Sequence, residues 1–217
     1  MPTQDLASGL VSATLIVIAK APVPGRVKTR LCPPCTPAQA AALAEASLRD
    51  TLDAAARCGA ARRVIALDGA PGPWLPDGFE VIPQRGSGLA ERLANAFADV
   101  GGPAFLIGMD TPQVRPDWLD AGLDALSERH AAFGASPDGG YWGIGLRRPD
   151  PAVFAGVPMS EHFTGAVQRA RLAMLGLATA VLRTLLDVDT FADALAVARE
   201  APRSRFAAEL AQLELAA

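Results

Sequence analysis

Apolar positions in this chain follow two rhythms. Short runs of four to seven mostly apolar residues alternate with longer stretches in which apolar residues return every three or four positions. The short runs predict buried strands at Thr14 to Ala19, Arg63 to Leu67, Phe79 to Ile82, Ala104 to Gly108, Ala131 to Ala135, Tyr141 to Leu146 and Ala178 to Leu182. The longer stretches predict helices. Thr36-Pro37-Ala38-Gln39 has the form of a capping box with proline at the first helical position, so an alanine-rich helix should run from there to about Arg57. Leu89 to Val100 places Leu89, Leu93, Ala96, Phe97 and Val100 on one face. Further helices are predicted at Pro116 to Arg129, Ser160 to Leu175, Phe191 to Arg199 and over the last fifteen residues. Asp68 to Gly78 has four glycines or prolines in its first six residues and reads as a turn-rich loop.

Alternation of strand and helix means an α/β fold with a largely parallel sheet. No internal repeat or linker interrupts it, and 217 residues suit one domain, residues 1–217. Half the residues are hydrophobic and 20% are charged, as in an ordered protein with a real core. The net charge of −3 argues against non-specific nucleic-acid binding. The apolar run Leu10 to Ala19 is half the length of a membrane span, and Asp5 with no basic residue ahead of it is wrong for a signal peptide. A soluble, cytoplasmic protein is the expectation. Three cysteines do not make a disulfide framework.

The first predicted strand stops at Lys20, and a loop rich in proline and basic residues follows, within "IAKAPVPGRVKTRL". The chain's only two lysines, Lys20 and Lys28, both fall here, with Arg26 and Arg30. Pro22 and Pro24 fix φ, and Gly25 lets a ligand approach the backbone, so the loop can present cations at a preset geometry. Ligands of open α/β sheets bind at the carboxyl ends of strands. At those ends also lie Asp110, Asp138-Gly139-Gly140-Tyr141, and Asp187 with Asp189. Phosphates take lysine, arginine and free N–H groups, and hard cations such as Mg²⁺ take carboxylate oxygens. Asp110 with Asp187 or Asp189 could hold such a cation. A lysine or arginine of the loop would neutralise a departing diphosphate.

Each element has an ordinary reading too. A basic loop is commonly solvated surface, Asp-Gly-Gly is a common turn, and Asp187-Val188-Asp189-Thr190 could be a helix cap. Their joint placement favours a site. Cys32-Pro33-Pro34-Cys35 has redox spacing, but a zinc site would need ligands from Cys58 or the distant histidines. His130, Trp74 and Trp118 read as structural. His162 reads first as a capping or surface residue, and Tyr141 and Trp142 either as core or as stacking residues.

"IAKAPVPGRVKTRL", "LIGMDTP", "SPDGGYWGIGL" and "LLDVDTFADAL" together resemble a bacterial family of GT-A-fold, nucleotide-diphospho-sugar transferase-like proteins, some of them described as arsenosugar biosynthesis glycosyltransferases. The resemblance spans about residues 14 to 197. It implies a three-layer α/β sandwich, with a mixed, mainly parallel sheet between helices and the nucleotide over the N-terminal half. It implies a metal-dependent glycosyltransferase that uses a nucleoside diphosphate sugar, with Mg²⁺ or Mn²⁺ as cofactor and an acceptor that the motifs do not name. Lys20, Gly25, Arg26, Lys28, Arg30, Gln84 and Arg92 would contact nucleotide and phosphates. Asp110, Asp187 and Asp189 would hold the metal. Asp138 would be the base and Lys28 a catalytic cation, with Gly139, Gly140, Tyr141 and His162 on the acceptor side. The segment around Gln84 to Arg92 keeps Gln84, Glu91 and Arg92 but lacks the Gly-Asp-Leu-Gly-like core of the family pattern, and Met159 stands where that pattern carries tryptophan. Two alternatives use the same residues. One is a nucleotidyltransferase that releases pyrophosphate from a nucleoside triphosphate. The other is a non-catalytic nucleotide-binding protein.

Overall fold

The computed structural model describes residues 12–215. Its centre is a seven-stranded sheet in the order β3-β2-β1-β4-β6-β5-β7. These strands are β1 (Thr14–Lys20), β2 (Arg62–Asp68), β3 (Glu80–Pro83), β4 (Ala104–Gly108), β5 (Ala131–Ala135), β6 (Tyr141–Leu146) and β7 (Thr179–Val181). All neighbouring pairs are parallel except the two that β6 makes, with β4 and with β5. The fold is therefore the mixed, mainly parallel α/β sandwich expected.

Successive residues of a strand point to opposite faces, and β1 shows what this does. Leu15 and Val17 pack in a core with Leu48 and Leu52 of α1 (Pro37–Arg57) and Leu119 and Leu123 of α3 (Pro116–Glu128). Ile16 packs on the other face with Phe97 of α2 (Leu89–Val100) and Leu172 of α4 (Thr164–Met174). A third core joins Leu31 at the end of the basic loop to Val188 and to α5 (Phe191–Glu200) and α6 (Arg205–Leu215). That small core seats the basic loop next to the Asp187–Asp189 segment.

The capping box at α1 forms as expected: the Gln39 N–H donates to Thr36 Oγ1, and the Thr36 N–H donates to Gln39 Oε1. At α5 the cap is Thr190, paired reciprocally with Asp193, which leaves Asp187 and Asp189 free for other work. The helix expected from Ser160 starts four residues later, at Thr164. Ser160 has φ of 62°, in the left-handed region, and the Thr164 hydroxyl serves the loop, donating to the Pro158 carbonyl and accepting from the Glu161 N–H. Of the N-terminal apolar run, Leu10 and Val11 lie outside the described residues, and Thr14 onward is a strand. No helix among the described residues is long and apolar enough to cross a membrane.

Candidate active site

A cavity of about 970 Å³ opens at the carboxyl ends of β1 and β4. Because β6 runs the other way, its start lies at that same edge, and the β5–β6 turn delivers Asp138 there. The turn is tight: the Gly139 N–H donates to the Ser136 carbonyl, and the Gly140 N–H donates to Asp138 Oδ1 at 2.8 Å. After β7 the chain runs beside β5, and the Val188 N–H donates to the Asp110 carbonyl at 2.9 Å. That backbone bond brings the Asp187–Asp189 segment to the end of β4.

The structure groups the acids differently from the sequence expectation. Asp138, Asp187 and Asp189 each offer a carboxylate oxygen within 4.8 Å of the others. Asp110 is instead paired with Lys28, its Oδ1 lying 2.9 Å from Nζ. The approach is poorly aligned for a hydrogen bond, so Oδ1 is paired by charge alone. Lys28 Nζ also lies 3.6 Å from Asp189 Oδ1 and donates to the Val188 carbonyl. Arg30 binds the other Asp189 oxygen at 2.9 Å. Asp187 accepts from the Ser136 hydroxyl. Its pKa is pushed up to about 6, chiefly by burial and further by the charges of Asp138 and Asp189, against the lowering effect of the Ser136 bond. Three crowded carboxylates, one of them reluctant to ionise, are a donor set that a hard divalent cation fits.

The remaining expected residues divide by what holds them. Lys20 and Arg26 line the cavity with no ion pair to a described residue. Gly25 lies outside the lining; its φ of 75° shapes the loop. Gln84 and Arg92 also line the cavity but are fastened within the protein. Gln84 Nε2 donates to the carbonyls of Ala19 (2.7 Å) and Ala66 (3.0 Å), tying β1 to β2. Arg92 pairs with Asp68 at 3.0 Å and donates to Gln84 Oε1. Gly139 does not line the cavity but is packed beneath it, whereas Gly140, Tyr141 and the exposed His162 do line it.

Tyr141 and Trp142 are largely committed to packing. The Tyr141 hydroxyl reaches Gln168 at 3.4 Å, and burial pushes the phenol pKa up. Trp142 meets Phe105 edge-on, and its Nε1 donates to the Arg183 carbonyl. Trp74 is buried in the core, and Trp118 carries the Arg183 guanidinium 3.6 Å above its ring. His130 accepts the Ala178 N–H through Nδ1. The thiol of Cys35 is buried and its pKa raised, the opposite of an activated redox thiol.

Two residues escaped the sequence reading, one beside the acidic cluster and one on the cavity wall. Ser136 holds Asp187, and its only signal was a place two residues before Asp138. Thr111 is 1% exposed on the cavity wall, with a hydroxyl that has no hydrogen-bond partner among the described residues. It follows Asp110 directly.

Comparison with solved structures supports the fold. A provisionally named nucleotide-diphospho-sugar transferase from Desulfovibrio desulfuricans G20 superposes with a TM-score of 0.85 at 27% identity, over 94% of this chain and 96% of that one. Rv0371C of Mycobacterium tuberculosis H37Rv, solved in complex with manganese, gives 0.54 at 23% identity over 87% and 98%. A CMP:2-keto-3-deoxy-manno-octonic acid synthetase, solved with CTP, gives 0.57 at 16% identity over 88% and 99%. The last two likenesses are of fold alone. No curated protein matches the chain in sequence. The fold is thus that of the nucleotide-diphospho-sugar transferase-like proteins. Residues 51–161, half of the chain, match a bacterial family model, and the protein belongs to that family, described as "uncharacterized protein conserved in bacteria (DUF2064)".

Proposed function

We propose that this chain is a divalent-metal-dependent transferase that takes a nucleoside diphosphate sugar as donor and passes the sugar to a hydroxyl acceptor. One observation carries the reading: Lys20 and Arg26, cations with no ion pair to a described residue, and the Asp138–Asp187–Asp189 cluster line the same strand-end cavity. The likeness to the Desulfovibrio protein supports the sugar-nucleotide class. Lys20 and Arg26 bind the diphosphate, and Lys28 and Arg30 line the same cavity. Asp187 and Asp189, with Asp138 beside them, would hold Mg²⁺ or Mn²⁺, which when bound supplies neutralisation of the diphosphate leaving group. Asp138 is the exposed acid of the three and is our candidate to receive the acceptor hydroxyl proton. The Gly140 N–H bond fixes its carboxylate on the turn.

The test is thermal unfolding with a panel of nucleoside diphosphate sugars and nucleoside triphosphates, with and without Mn²⁺, followed by product analysis. A metal-dependent rise in midpoint with one nucleoside diphosphate sugar, and release of the nucleoside diphosphate, supports the proposal. Pyrophosphate release from a triphosphate replaces it with nucleotidyl transfer. No shift with any nucleotide overturns it.

A further inference from the structure

Lys28 is the most enclosed cation of the cavity. Its side chain is 9% exposed, and its backbone sits in the left-handed region at φ 48° and ψ 36°, which a β-carbon disfavours. The ammonium is surrounded by Asp110 Oδ1, Asp189 Oδ1 and the Val188 carbonyl, oxygens drawn from two distant segments of the chain. Asp189 is shared, because it also belongs to the three-carboxylate cluster, and its second oxygen is already taken by Arg30. Four carboxylates therefore crowd one wall; Lys28 neutralises Asp110 and shares Asp189 with Arg30. A divalent ion held by Asp189 would sit close to the ammonium, and two cations at that range repel strongly in a partly dry site.

We infer that Lys28 is the resident counter-ion of the acidic wall: it competes with the divalent cation for Asp189, and cation binding releases it to the donor diphosphate. The inference rests on the transferase reading for the identity of that second partner. Metal and diphosphate then bind cooperatively, because each lowers the cost of seating the other. A Lys28 that served only as a strut would behave differently, since its loss would slacken the acids and weaken metal binding. A fixed phosphate ligand would leave metal binding without nucleotide unaltered.

The experiment is titration of the protein with Mn²⁺ alone, reading free Mn²⁺ by electron paramagnetic resonance, for wild type, Lys28→Met, Lys28→Gln and Lys28→Arg. The neutral variants are expected to bind Mn²⁺ about tenfold or more tighter than wild type, the scale set by removing a unit charge beside a shared carboxylate. The arginine variant should stay within about threefold of wild type, since it keeps the charge. The gain in nucleoside diphosphate affinity on adding Mn²⁺ should shrink in the neutral variants. Equal or weaker Mn²⁺ binding by folded neutral variants overturns the inference. Failure of both neutral variants to fold overturns it too, because a counter-ion that is handed over cannot be one the fold requires. If the neutral variants gain Mn²⁺ affinity while no nucleoside diphosphate or its sugar binds, the competition stands and the transferase reading falls.

Discussion

The Gly165 N–H donates to the Gly139 carbonyl at 2.7 Å, and through that bond the first turn of α4 is fastened to the turn that carries Asp138. The contact has no room for a side chain. A β-carbon on Gly139 would fall 1.7 Å from the His162 carbonyl oxygen, at a φ of +92°. Gly139→Ala is therefore expected to lower the unfolding free energy by about 2 kcal/mol or more and to weaken Mn²⁺ binding together with it. Urea denaturation and a Mn²⁺ titration of the variant check both. Native stability in Gly139→Ala would mean that α4 does not need this docking.

Asp187 makes the protein sensitive to pH. Its ordinary value is 3.8 and its folded value about 6, so the native state holds the proton more tightly than the unfolded chain does. The favourable contribution is present at and below about pH 4 and is lost as pH rises through about 6. Above that range the buried charge costs about 1–2 kcal/mol, allowing for partial solvent screening. Asp187→Asn should raise the melting temperature of the metal-free protein at about pH 7.5 and do little at about pH 4. Mn²⁺ should stabilise the wild type more at the higher pH, because the ion must displace the proton. An equal Asn effect at both pH values would show that the Asp187 charge is not the cause.

Lys20 and Arg26 make no ion pair to a described residue, whereas Lys28 and Arg30 are paired with acids. Replacing either with alanine should weaken binding of the nucleoside diphosphate sugar about tenfold and change stability by no more than about 0.5 kcal/mol. Isothermal calorimetry with the nucleotide that gives the thermal shift, alongside a melting curve, separates the two effects. A variant that binds as tightly as wild type would remove that residue from the phosphate site.

Gln84 should behave in the opposite way. Gln84→Leu leaves the Ala19 and Ala66 carbonyls without their side-chain donor and is expected to cost about 1–3 kcal/mol of stability. If denaturation shows no loss while nucleotide affinity drops, Gln84 faces the ligand and not the sheet.

Much of this arrangement was legible in the sequence. The strand runs and the two threonine caps are local signals, and Thr36 and Thr190 each sit three positions before a residue that reaches back to them. The residues at the cavity could also be found, because strand ends in an α/β sheet share an edge. Their partners could not. Asp110 sits in the chain far from both Lys28 and Asp189, and no spacing rule says which of two acids a lysine will choose. That choice depends on the Val188–Asp110 backbone bond and on the small core beneath it. The late start of α4 was hidden for a similar reason: a left-handed Ser160 and a threonine bonded to Pro158 are loop geometry, invisible in periodicity.

Lys28 reaches Val188 across 160 positions of sequence, and Arg30 reaches Asp189 across 159. Contacts that span so much chain form slowly, after local structure has set. During synthesis the basic loop emerges early, and its lysine can meet Asp110 but neither Val188 nor Asp189 until the segment after β7 has left the ribosome. The acidic wall is thus among the latest parts of the molecule to be completed, and a chain stalled before residue 187 would carry all seven strands yet lack two of the three acids proposed to hold the metal.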